Sequence, residues 1–123
     1  MADSAPIVRF EHVSVRFPDA LANDDVSLEF KRGEAFALVG ENGAGKTTLM
    51  NVLYGLVRLT LGAVTVKGET LSPRHDPMRA IAMGIGMVHQ HFKLVPSFTV
   101  AQNIALGSEP TKNLVFYDQK RLH

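Results

Sequence analysis

The sequence predicts an α/β fold in which an antiparallel strand layer precedes a buried strand, a glycine-rich turn and a helix. Three observations carry this. Apolar and polar residues alternate through most of the first thirty positions, the mark of half-buried strands. Ala35-Phe36-Ala37-Leu38-Val39 is then continuously apolar and short, as expected of a strand covered on both faces in a parallel sheet. From Lys46 onward, Leu49, Met50, Leu53 and Leu56 recur at helical spacing.

Taken in order, residues 7–17 alternate, but Val8 and Phe10 lie on one parity and Val13, Val15 and Phe17 on the other. A bulge or break near Glu11 and His12 accounts for the change of phase, because an extra residue flips every later side chain. Phe17-Pro18-Asp19 ends that strand, and Val26 to Phe30 reads as the next, returning through Lys31-Arg32-Gly33. A helix is expected from Lys46 to about Val57. Ala63 to Lys67 alternates up to Gly68 and reads as a strand and turn. The preceding Thr60-Leu61-Gly62 has no evident role. Asp76 before Pro77 signals a helix running to about Met83, residues 84–88 form a second buried-strand candidate, and Thr99 is placed to cap a short helix to Leu106.

Composition narrows the function classes. The 123 residues suit one domain or part of one. Apolar residues at 46% and charged residues at 20% leave no case for disorder, and zero cysteines remove disulfides and thiolate metal sites. Thirteen basic against twelve acidic residues, with no basic block, argue against general nucleic-acid binding. The start carries an acid and no apolar run of the kind an export signal shows, and no stretch approaches the ~20 apolar residues that span a bilayer. A cytosolic or peripheral location is expected.

Gly40-Glu41-Asn42-Gly43-Ala44-Gly45-Lys46-Thr47 matches the phosphate-loop pattern of Gly, four residues, Gly, Lys and Ser or Thr. Glycines let successive amide N–H groups turn toward one point, and the helix that starts there adds its positive end. Lys46 supplies a point charge for terminal phosphates, and the Thr47 hydroxyl is placed for a magnesium ion bridging them. The bland alternative is a glycine turn with a surface lysine. Gln90, just beyond the second buried-strand candidate, has the place of a crevice residue that could ligate magnesium or orient water; a lone Gln there is most often a solvated loop residue. His89 and His91 could chelate a metal from one strand face, but no third ligand is evident, and structural histidines are the better reading. Phe17 reads as packing by its pattern, or as an exposed ring that stacks on a base.

With these residues in hand, almost the whole chain resembles the N-terminal part of an ABC transporter ATP-binding subunit. The resemblance rests on Val13 to Pro18, Ala22 to Leu28, Leu38 to Met50, Ala80 to Phe92, Leu94-Val95-Pro96 and Thr99 to Ile104. The stretch around Gln90 is the more specific, and resembles the importers of nucleosides and simple sugars. The resemblance implies ATP and Mg2+ as cofactors, held by Phe17 on adenine, Gly40, Glu41, Asn42, Gly43, Ala44, Gly45, Lys46, Thr47 and Thr48 on phosphate, and Thr47 and Gln90 on the metal. It also implies that residues 92–98, in the Q-loop region, receive a transmembrane permease subunit, that a second ATP-binding cassette closes over the nucleotide, and that the subunit sits on the inner face of the cell membrane.

The family also uses a Walker B aspartate followed by a catalytic glutamate, a Leu-Ser-Gly-Gly-Gln signature and a switch histidine. None follows Gln90 in these 123 residues. Leu114-Val115-Phe116-Tyr117-Asp118 has the outline of a Walker B strand, yet Gln119 stands where the glutamate would be; Asp118 reads better as a helix cap before Gln119-Lys120-Arg121. If Asp118 is instead a metal-binding acid, a kinase or GTPase is the rival reading, and a non-catalytic interaction module is another. The expected organisation is therefore an incomplete P-loop ATPase core: an antiparallel β layer at 1–34, the core through the Q-loop at 35–98, and the start of a helical subdomain at 99–123.

Overall fold

The computed structural model describes residues 5–91, 93–106, 111–112 and 116–117. They fall into two compact units that divide between Met87 and Val88. The first unit is built on a four-stranded antiparallel sheet of order β2-β1-β3-β4, with β1 Val8–Phe17, β2 Ala20–Phe30, β3 Leu61–Val66 and β4 Glu69–Thr70. Two helices join it, α1 at Lys46–Tyr54 and α2 at Pro77–Ala82.

The expected change of phase in β1 is present. Its pairing with β2 shifts between Phe10 and Val13, and its pairing with β3 shifts between Glu11 and Ser14, with His12 at φ +50°. The bulge turns Phe10, Val13 and Val15 all inward, where each is at most 1% exposed. Val64 and Val66 of β3 meet them, and Leu49 and Val52, three apart on α1, close the core from above. Each of these side chains contributes roughly 1.5–3 kcal/mol by leaving water. Phe30 extends the cluster, edge-on to Phe10 at 5.9 Å and to Phe36 at 4.7 Å.

Strand β2 is longer than its alternation implied, starting at Ala20 and not Val26, because Pro18-Asp19 makes a tight hairpin that pairs Phe17 with Ala20 at once. Helix α1 stops at Tyr54, three residues short of expectation. Gly55 takes the left-handed cap at φ +85°, and the Leu56 amide returns to the Asn51 carbonyl at 2.8 Å, leaving half-exposed Leu56 beyond the helix. Helix α2 starts as expected, with the Asp76 carboxylate accepting from the Arg79 amide at 2.9 Å.

Thr60-Leu61-Gly62 acquires a role in three dimensions. The Thr60 amide donates to the Ser14 carbonyl at 2.8 Å, and its hydroxyl accepts from the Arg16 amide at 3.0 Å, which starts β3 beside β1. Gly62, at φ +89°, lies against the β1 bulge: a Cβ there would stand 2.3 Å from the His12 carbonyl oxygen and 2.5 Å from that of Glu11. Gly62→Ala is therefore expected to lower stability by at least about 1–3 kcal/mol, the usual cost of a non-glycine residue in that region, read as a lower urea midpoint. An unchanged midpoint would show that the bulge tolerates a methyl group.

Two expectations fail. Residues 35–39 and 84–88 form no strand; Phe36 is 51% exposed, Val39 88% and Val88 96%. Leu38 and Ile85 pack on the core, but neither segment finds a ladder partner among the described residues. Apolar content states how a segment tolerates burial. A strand needs, in addition, a neighbour to take its N–H and C=O groups.

The second unit holds α3 at Val100–Ala105 and a short antiparallel pair, β5 Thr111–Lys112 with β6 Phe116–Tyr117. Thr99 caps α3 with a reciprocal capping box: its hydroxyl accepts from the Gln102 amide, and the Gln102 side chain accepts from the Thr99 amide. Phe92, Leu114, Val115, Asp118, Gln119, Lys120 and Arg121 lie outside the described residues, and with them the cap reading of Asp118. No helix among the described residues is long and apolar enough to cross a membrane.

Candidate functional site

The loop at 40–48 sits where the start of β2, at Ala22 and Asn23, meets the N-terminus of α1. The Ala44 amide donates to the Glu41 carbonyl at 3.2 Å, closing a turn over Asn42 and Gly43, with Gly43 at φ +84°. Gly45 is the N-cap of α1 at φ +89°, ψ 5°, and no side chain caps the helix. The first amides of an α-helix have no intrahelical acceptor, so those at the start of α1 are available as donors for an anion.

Gly45 is demanded twice. Its backbone lies in the left-handed region, and a Cβ would stand 2.2 Å from the Ala22 carbonyl oxygen and 2.6 Å from Asn23 Nδ2. By contrast a Cβ on Gly40 would make only ordinary contacts, the nearest at 3.5 Å from Ala44 Cβ. The pattern's last glycine thus carries the steric constraint in this conformation, and its first does not.

Lys46 folds back over the loop. Its ammonium donates to the carbonyls of Gly40 and Glu41 at 2.5 Å each, which holds one positive charge beside the turn. Glu41, Asn42 and Thr47 are exposed, while Thr48 is half-buried. Phe17, at the last position of β1, is 42% exposed and stands outside the core cluster, so its ring presents a free aromatic surface.

Asn23, to which the sequence pattern assigns no role, lies at the join. It is 7% exposed, its Nδ2 donates to the Gly45 carbonyl at 3.2 Å, and its buried Oδ1 has no hydrogen-bond partner among the described residues. Twenty-two positions separate the two residues, and no local signal reports the contact.

In the second unit, Gln90 is exposed, His89 has an interaction partner, and His91 is exposed. Among the described residues no three His, Asp or Glu side chains gather in a way that could hold a metal ion. Residues 94–104 form a groove of about 410 Å3 lined by Leu94, Val95, Pro96, Phe98, Val100 and Ile104, with Asn103. Asn103 shapes it: Oδ1 accepts from the Val95 amide at 2.8 Å, and Nδ2 donates to the carbonyls of Val95, Phe98 and Thr99.

Known proteins extend the picture. A family described as "ABC transporter" matches residues 23–123. The nucleoside import ATP-binding protein NupA of Lactococcus lactis subsp. cremoris is 54% identical over 108 residues, which is 88% of this chain and 21% of that protein. The guanosine import ATP-binding protein NupO of Bacillus subtilis is 51% identical over 106 residues, 86% of this chain and 21% of that protein. The chain thus spans about a fifth of the length of these curated relatives. A nucleotide-free ATP-binding cassette from an ABC transporter superposes with a TM-score of 0.76 at 28% identity, covering 85% of this chain and 41% of that one. A bacterial Atm1-family ABC exporter with ATP bound gives 0.73 at 25% identity, over 93% of this chain and 20% of that one.

Proposed function

The chain belongs to the ABC transporter family, and from that we propose that it is the nucleotide-binding part of an importer's ATP-binding subunit. The substrate class proposed for the whole transporter is a nucleoside, as in the two import proteins just named, or a simple sugar. The observation that carries the reading is the loop itself: an uncapped helix start, Gly43 and Gly45 at positive φ, and an ammonium held beside them. This arrangement binds by backbone donors and one point charge, which suits a polyphosphate.

In this reading the amides of Gly43, Gly45, Lys46, Thr47 and Thr48 take the β- and γ-phosphate oxygens, with Glu41, Asn42 and Ala44 shaping the turn. Lys46 leaves the carbonyls of Gly40 and Glu41 for the terminal phosphates, and Phe17 stacks on adenine. Thr47 fits a magnesium ligand because its hydroxyl is exposed on the first turn of α1 and a hard cation prefers oxygen donors. Magnesium would supply charge neutralisation at the triphosphate; Gln90 is assigned to it from the family resemblance. We assign the groove at 94–104 to a permease subunit, and a second cassette to the far side of the nucleotide. The organisation proposed remains a β layer at 1–34, a core at 35–98 and the start of a helical subdomain from 99, on the inner face of the membrane.

The test is a titration of the 123-residue chain with magnesium-ATP by calorimetry. Saturable binding is expected, together with no sustained phosphate release, since these residues contain no Asp-Glu pair after an apolar strand. Absence of heat at millimolar nucleotide would overturn the site, and Lys46-dependent turnover would overturn the division of labour with other residues.

A further inference from the structure

We infer that Asn23 is a positioning residue for the phosphate loop, acting through the Gly45–Lys46 peptide plane. The inference rests on the reading of residues 40–48 as a phosphate site. The Gly45 carbonyl accepts two hydrogen bonds, from the Leu49 amide at 3.0 Å and from Asn23 Nδ2 at 3.2 Å. The first is the opening bond of α1. The second comes from β2, outside the helix, so the carbonyl is held from two directions.

A peptide unit is planar, and in its trans form the C=O and the following N–H point opposite ways. Fixing the direction of the Gly45 carbonyl therefore fixes that of the Lys46 N–H, one of the donors at the helix start. Without Asn23, Gly45 retains only the helical bond, and glycine places little restriction on its own φ and ψ. The Lys46 amide would then sample directions away from the phosphate.

The other half of the amide strengthens the argument. Asn23 is buried, yet its Oδ1 bonds to nothing among the described residues, an arrangement that lowers stability. An apolar side chain of similar shape would avoid that loss. A role confined to packing favours such a side chain, whereas holding Gly45 requires the Nδ2 donor.

The discriminating experiment compares Asn23→Leu and Asn23→Ala with the parent chain, measuring magnesium-ATP affinity by calorimetry and stability by urea unfolding. Lys46→Ala is run alongside. In Asn23→Leu the affinity is expected to fall roughly tenfold, the effect of one lost hydrogen bond of ordinary strength, while the urea midpoint holds or rises. Unchanged affinity in either folded variant, with Lys46→Ala weakened, would overturn the positioning role and leave the phosphate site standing. Affinity and stability falling together in both variants would reduce Asn23 to a packing residue and also overturn it. If Lys46→Ala binds as the parent does, the reading of the loop itself fails.

Discussion

Lys46→Ala is expected to lower the affinity for magnesium-ATP by roughly ten- to a hundredfold while leaving the fold intact. The affinity estimate follows from a charge-assisted hydrogen bond worth about 1.5–3 kcal/mol, with each 1.4 kcal/mol a factor of ten. The stability estimate follows from what the ammonium touches now. Its partners are the carbonyls of Gly40 and Glu41 in an exposed loop, and water replaces a lost donor there at little cost. The urea midpoint should therefore correspond to a change within about 0.5 kcal/mol. Calorimetry giving the parent affinity would remove Lys46 from the site. A large loss of stability would show instead that its bonds to the loop carbonyls are structural.

Gly45→Ala is expected to have the larger effect, on the fold as well as on binding. At φ +89° a non-glycine residue alone costs about 1–3 kcal/mol. The new Cβ would also stand 2.2 Å from the Ala22 carbonyl oxygen, a backbone atom that no rotamer change can move. Relief requires α1 to draw away from β2, which loosens the packing of Leu49 and Val52 over Phe10, Val13 and Val15. The sum should reach about 3–5 kcal/mol, in the range of the most damaging single substitutions. Gly43→Ala is the control, since Gly43 shares the positive φ at +84° but its Cβ would meet nothing within 4 Å. Urea unfolding should place Gly43→Ala between the parent and Gly45→Ala. Equal midpoints for the two variants would mean that the approach of β2 to the loop has no energetic weight.

Much of the site was legible because its chemistry is local. The eight residues of the phosphate loop are contiguous, and the helix behind them announces itself by Leu49, Met50 and Leu53. The caps at Asp76 and Thr99 were equally readable, since a cap and its partner amide lie three positions apart. The bulge near His12 was visible for a related reason: a strand has period two, so one extra residue leaves its mark in the parity of the apolar positions.

Other features involve residues far apart in the chain. The left-handed backbone at Gly62 makes sense only beside the carbonyls of Glu11 and His12, and Asn23 matters only beside Gly45. The apolar runs at 35–39 and 84–88 illustrate the converse error, since their composition suits a buried strand whether or not a ladder partner is present. The sequence by itself determined the glycine-rich turn before α1, the helix starts and the change of phase in β1, all products of short-range spacing. Tertiary structure alone decided which glycine bears the steric load, which segments pair, and that an amide on β2 holds the loop's peptide plane. The physical reason is that hydrogen-bond geometry and close packing depend on distances through space, and periodicity along the chain records only burial and turns.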